Sequence, residues 1–153
     1  MVRAHEDAGF ILLLNRSEKI SRDGENIYLS GVENWGLPPF KQYGDLAKSL
    51  QEIPEDGFKI LLSHDPSHWD AEAADRTDVH LTLSGHTHGM QFGIRLGRFR
   101  WSPIQMKYPR WIGLYQQGQQ YLHVNPGLGY IGYAGRIWIP PEISVIKLRN
   151  AIS

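Results

Sequence analysis

The stretch from Phe58 to Leu83 constrains the fold most, because it reads as two buried strands joined by a short helix. Phe58 to Ser63 is a nearly continuous apolar run, the mark of a strand covered on both faces. Ser67 to Ala74 has a serine cap, good helix formers and early acidic residues, which predict a short helix. Val79 to Leu83 is a second apolar strand. This order specifies a parallel βαβ unit. Open α/β sheets bind ligands outside the carboxyl ends of such strands, and His64 and His86 stand just past the two ends.

The second strand runs into Ser84-Gly85-His86-Thr87-His88-Gly89. On extended chain, residues i and i+2 point the same way, about 6–7 Å apart. Two neutral imidazoles on one spot are a ready metal site. Gly85 and Gly89 let the chain turn and let a ligand approach the backbone. The bland alternative for an isolated His-x-His is a coincidence of surface or core. For His64, in Ser63-His64-Asp65-Pro66, the alternative is a turn histidine bonded to local backbone, with Pro66 ending the strand. His68 is expected to be solvated on the first helical turn, and His5, His80 and His123 have no partner pattern.

Around this unit the chain reads as further strands. Phe10 to Leu14 is a short apolar strand, and Lys19 to Arg22 and Asn26 to Leu29 flank Asp23-Gly24, a hairpin signal. Asp45 is placed to cap a helix over Leu46 to Leu50 that Pro54 keeps short. Tyr121 to Val124 and Ile143 to Leu148 alternate as closing strands, with Asn125-Pro126-Gly127 turning back towards the histidines. The fold class is α/β, with a mixed sheet carrying one βαβ unit.

Composition narrows the functions. The 153 residues suit one domain. Sixteen Lys and Arg balance sixteen Asp and Glu, so no long-range field recruits nucleic acid or anionic membrane. The absence of cysteine removes disulfides, thiolate zinc sites and cysteine nucleophiles. No stretch approaches the ~20 apolar residues of a membrane helix and no signal pattern opens the chain, so it is expected to be soluble as written.

Ser63-His64-Asp65-Pro66 and Gly85-His86-Thr87-His88 resemble the late blocks of the calcineurin-like metallophosphoesterases. Val124-Asn125-Pro126-Gly127-Leu128-Gly129 and Pro140-Pro141-Glu142-Ile143 extend the likeness to the bacterial branch with membrane- or wall-associated phosphodiesterases. Three short motifs in order are more specific than any one. The resemblance implies a β-sandwich flanked by helices, a phosphate-ester substrate and two divalent ions, manganese, iron or zinc. It implies His64 and His86 as ligands of one ion and His88 of the other. The family's Gly-Asp-x-x-Asp and Gly-Asn-His-Asp/Glu blocks are absent from the 153 residues, the one Asp-x-His, Asp78-Val79-His80, falls after Ser63-His64-Asp65-Pro66 and so out of the family's order, and Met90 stands where the family carries glycine. Residues 1–153 are therefore expected to be a single incomplete domain, the C-terminal part, weak in metal binding and inactive alone. Membrane contact would come only through an upstream segment, and uncovered sheet would favour self-association. Asp65 is expected in a solvated turn, with a hydrogen bond to a ligand histidine as the alternative, and Asp78 at the far end of its strand.

Phe92, Phe99, Trp101, Tyr108, Trp111 and Tyr115, interleaved with Arg95, Arg98, Arg100, Lys107 and Arg110, form an aromatic and basic stretch. It reads either as a lid for phosphate head groups, glycans or a membrane interface, or as a hairpin whose aromatics pack on the sheet and whose arginines are solvated. Pro103 and Pro109 favour an irregular path. Two functions remain: part of a metal-dependent phosphohydrolase using a metal-activated water, or a non-catalytic metal-binding or interaction module. A cupin is a third thought, in which Gln91 would stand poorly for a glutamate.

Overall fold

The computed structural model describes residues 2–97 and 99–149, which adopt a mixed α/β architecture. Six strands form one sheet: β1 (Arg16–Arg22), β2 (Glu25–Gly31), β3 (Phe58–Leu62), β4 (Leu81–Ser84), β7 (Gly113–Gln117) and β8 (Gln120–Val124). Their order is β1-β2-β3-β4-β8-β7. The four central strands run parallel, and β1 and β7 close the edges antiparallel. β5 (Ile94–Leu96) and β6 (Phe99–Trp101) make a separate hairpin.

The hairpin at Asp23-Gly24 forms as expected, since both residues take the positive φ (52° and 83°) that suits the strand twist. Helix α1 (Val2–Asp7) buries none of its residues. Asp45 caps α2 (Leu46–Leu50), accepting from the Lys48 amide at 2.9 Å. Because β2 is parallel to β3, α2 lies in a second helical crossover beside the expected βαβ unit. The crossover from β3 to β4 contains a π-helical turn, Trp69–Ala73. The turn itself has no side-chain cap; just ahead of it Asp65 Oδ1 accepts from the Ser67 amide at 2.9 Å and the Ser67 hydroxyl at 2.5 Å. The serine expected as the cap is thus the donor.

Both helical segments pack on one face of the sheet. Leu46, Leu61, Trp69, Ala73, Ala74, Val79, Leu122 and Val124 form that core. Ser30 and Ser49 let α2 approach closely, with a hydroxyl–hydroxyl bond of 2.9 Å. Lys59 is buried at the amino end of β3. Its ammonium donates to Asp78 Oδ2 at 2.6 Å and to the carbonyls of Pro54 and Glu55, so Asp78 does lie at the far end.

Two expected strands are missing. Phe10 to Leu14 and Ile143 to Leu148 have apolar patterns but pair with nothing regular, and Phe10, Ile11, Ile143 and Val145 are exposed. The second segment passes instead over the other sheet face, with the Ser144 hydroxyl 2.8 Å from His123 Nε2. The aromatic stretch also departs from the sheet-packed expectation. Tyr108, Trp111 and Ile112 join Ile139 in a second core, while Phe92, Phe99 and Trp101 stay exposed. Several of its arginines are bonded: Arg95 to Glu142 at 3.0 Å, Arg100 to the Ile112 carbonyl and Arg110 to Asp70 at 2.8 Å. Arg98 lies outside the described residues.

Candidate metal centre

Parallel pairing brings the histidines together. Leu62 is level with Leu83, and the ladder continues past the strand ends through Ser63 N–H to Leu83 O (3.1 Å) and Gly85 N–H to His64 O (3.0 Å). His64 and His86 therefore leave the sheet side by side. Their rings meet edge to face with centroids 5.1 Å apart. Asn125 borders the same cavity as His64 and Gly85, so the Asn125-Pro126-Gly127 turn does return to this end.

The loop that follows is not extended. His86, His88, Gly89, Met90 and Gln91 have φ of 65°, 49°, 59°, 55° and 54°, so the same-side geometry of an extended His-x-His does not apply. Left-handed non-glycine residues cost about 1–3 kcal/mol each and persist only where their surroundings over-determine them. The surroundings here do so. Thr87 Oγ1 donates to the Trp111 carbonyl at 2.7 Å, and Ser102 Oγ donates to the Gly89 carbonyl at 3.1 Å. A Cβ on Gly89 would stand 2.8 Å from Ile139 Cγ2, so this position requires glycine. Gly85, by contrast, has ordinary room and no positive φ.

Around the imidazoles the polar groups are unevenly satisfied. His86 Nε2 is 2.8 Å from the Tyr108 hydroxyl and 3.8 Å from Asp65 Oδ2. Asp65 is 1% exposed, contrary to the solvated turn expected of it, and its Oδ2 is buried without a hydrogen-bond partner. His88 Nδ1 is likewise buried and unpartnered. Partial desolvation and the neighbouring His86 hold His64 below the ordinary imidazole value, against the pull of Asp65. Desolvation, then Arg136 and His64, lower His88. Burial and the Asp65 carboxylate raise the Tyr108 phenol, so it stays a neutral donor near pH 7.

His68 overturns its expectation. It is fully buried, its Nδ1 2.8 Å from Ser63 Oγ and its Nε2 3.1 Å from Glu72 Oε2, and it stacks on Trp35. Burial lowers its pKa, with Glu72 opposing. The chain Glu72–His68–Ser63 braces the turn that carries His64. Two neighbours of the centre, Tyr108 and Arg136, were not legible as such, and Asp65 was so only in the alternative reading, which set it beside a ligand histidine. The Asp-Pro-Ser run of a capping turn was a signal for Asp65, whereas Arg136, which donates to the Pro126 and Gly129 carbonyls, left none.

The donors fit a metal in kind, with imidazoles at adjoining strand ends and a buried nitrogen that has no other partner. They fall short in number. Among the described residues, no group of three or more His, Cys, Asp or Glu is arranged to hold an ion.

No family model matches the chain, and no solved structure matches it. Curated relatives do. The chain is 34% identical over 146 residues to the uncharacterized metallophosphoesterase YkuE of Bacillus subtilis, a match covering 93% of this chain and 48% of that protein. It is 35% identical over 130 residues to a transmembrane protein with metallophosphoesterase domain of Danio rerio, covering 82% of the chain and 28% of the relative. The Bos taurus protein of the same name is 33% identical over 150 residues, covering 91% and 32%. The chain belongs to the calcineurin-like metallophosphoesterase family, a hydrolase family that uses divalent metal ions. It spans about half the length of the Bacillus relative and about a third or less of the other two. No helix among the described residues is long and apolar enough to cross a membrane.

Proposed function

We propose that residues 1–153 are the C-terminal part of a phosphoesterase domain and supply the imidazole side of a two-metal phosphohydrolase centre. The observation that carries this reading is the meeting of His64 and His86 at the ends of β3 and β4, with His88 two residues on and its Nδ1 unpartnered. His64 and His86 would hold one ion and His88 the other, manganese, iron or zinc. When bound, two such ions acidify a water and neutralise phosphoryl charge during in-line displacement. The chain's own residues do the rest of what is visible. Tyr108 orients the His86 ring, the Glu72–His68–Ser63 chain steadies the His64 turn, and the Asn125 turn borders the cavity beside His64. The carboxylates of a complete centre belong to blocks outside this sequence, so the chain alone binds metal weakly and turns over no phosphodiester.

A second reading is a non-catalytic metal-binding or interaction module that keeps this half of the fold, in which the imidazoles found together among the described residues hold at most one ion. Calorimetry with Mn²⁺ tests the metal centre on which the first reading rests. The phosphoesterase reading expects weak binding lost in His86→Ala, and calorimetry indifferent to that change would sink it. Two tightly bound ions, or hydrolysis of a nitrophenyl phosphodiester abolished by His86→Ala, would overturn the incomplete-centre reading.

A further inference from the structure

Beside the candidate centre lies a cleft of about 610 Å³, in the range of small-ligand sites. His86 belongs to both. The rest of its wall is Met90, Phe92, Ile104, Tyr108, Ile131 and Tyr133, with Thr87 and one cation, Lys107. The wall is thus mostly apolar or aromatic, with the imidazole, the ammonium and the hydroxyls of Thr87, Tyr108 and Tyr133 as its polar groups.

The cleft is held together by a buried polar residue. Gln91 is wholly buried, and its amide donates to the carbonyls of Tyr133 (2.9 Å) and Gly135 (2.5 Å) while accepting from the Ile131 amide. The Tyr133 hydroxyl returns a bond to the Gln91 carbonyl at 3.0 Å. The segment bearing Met90 and Phe92 is therefore locked to the loop bearing Ile131 and Tyr133. A buried amide with its bonds satisfied specifies one arrangement of these walls. Met90, held at φ 55° in place of the family's glycine, remains 48% exposed on the cleft. An apolar side chain kept in a strained conformation at such a place points to use rather than to packing.

We propose that this cleft selects the substrate: it takes the apolar ester group of an amphiphilic phosphate ester whose anionic phosphate lies by His86, Tyr108 and Lys107. This rests on the phosphoesterase reading and adds the substrate class to it. Charge complementarity decides the occupant's polar end, since Lys107 is the single fixed cation of the wall. The Tyr108 hydroxyl, 2.8 Å from His86 Nε2, stands at the same end of the cleft as the imidazole.

The three methionines make a clean probe. In the ¹³C-methyl spectrum of methionine-labelled chain, octyl phosphate below its micelle concentration is expected to shift the Met90 signal saturably. Half-saturation should fall at least about tenfold below that of methyl phosphate, because buried methylenes add to binding. Uncharged octanol should bind at least about fivefold more weakly than octyl phosphate, and Ile131→Ser should erase most of the octyl preference. Equal half-saturation for octyl and methyl phosphate, or for octanol and octyl phosphate, overturns the proposal. So does an octyl preference untouched by Ile131→Ser. Mn²⁺ calorimetry on the same samples separates the two ideas: loss of the octyl preference with His86-dependent Mn²⁺ binding intact removes only the cleft, while His86-independent Mn²⁺ binding removes the phosphoesterase reading beneath it.

Discussion

The two faces of the six-stranded sheet are made from similar sequence and end in different states. On one, Leu61, Trp69, Ala73, Leu122 and Val124 are fully buried beneath the helical crossovers. On the other, Ile143 and Val145, then Ile146 and Leu148, alternate like strand residues yet cross the sheet without joining it and stay exposed. Alternation therefore marks what a segment is able to pair with, while a partner decides whether it does. The candidate histidines lie at the strand ends, where His64 shares a cavity with Leu62, Leu83, His123 and Ser144 of the less covered face, so the frame of the site draws on both faces.

This contrast can be tested by stability, from the largest effect downwards. Trp69→Ala, on the finished face, should cost about 3–5 kcal/mol in urea unfolding, and a loss below 1 kcal/mol would break the comparison. The open face should drive weak self-association, near millimolar or about 4 kcal/mol, seen as a concentration-dependent sedimentation coefficient. A compact monomer at every concentration would mean that the C-terminal segment covers the face adequately.

The pH dependence comes next. The folded pKa of His68 is lowered by burial, so the unfolded chain binds the extra proton. Its contribution is present above the unfolded value of about 6.5 and is lost as pH falls through the folded value. Unfolding midpoints should drop between about pH 7 and 5, and His68→Gln should flatten the slope, leaving the similarly lowered His64, His80 and His88. A slope unchanged in that variant removes His68 from the account. The smallest effect belongs to Val145→Ser, within about 0.5 kcal/mol of wild type because the side chain is 92% exposed. A larger loss would show the open face to be packed after all.

Much of the fold was legible where local and global signals agree. The Asp23-Gly24 turn, the Asp45 cap and the apolar run of β3 are each specified by a few neighbouring residues, and each forms. Phe10 to Leu14 and Ile143 to Leu148 carry the same apolar signal, but strand pairing is a long-range event that no window of sequence contains. The site divides likewise. Strand-end spacing brought His64 and His86 into view, because parallel register converts sequence position into proximity. His68 was misplaced because its burial depends on Trp35 arriving from a distant segment to stack on it and to donate to Glu72 Oε1 at 2.9 Å, Glu72 itself lying one turn on in the same helical segment. Tyr108 reaches His86 only through the second core, whose assembly with Ile139 is equally non-local.

The clasp at Gln91 has a consequence for the excursion it closes. The Gly93 amide bonds the Ile137 carbonyl and the Ile137 amide bonds the Gln91 carbonyl, so the long detour is tied at its base by backbone as well as side chain. A single proteolytic nick at the exposed Gly97 would then leave two fragments that travel as one particle, their ends still joined without a peptide bond.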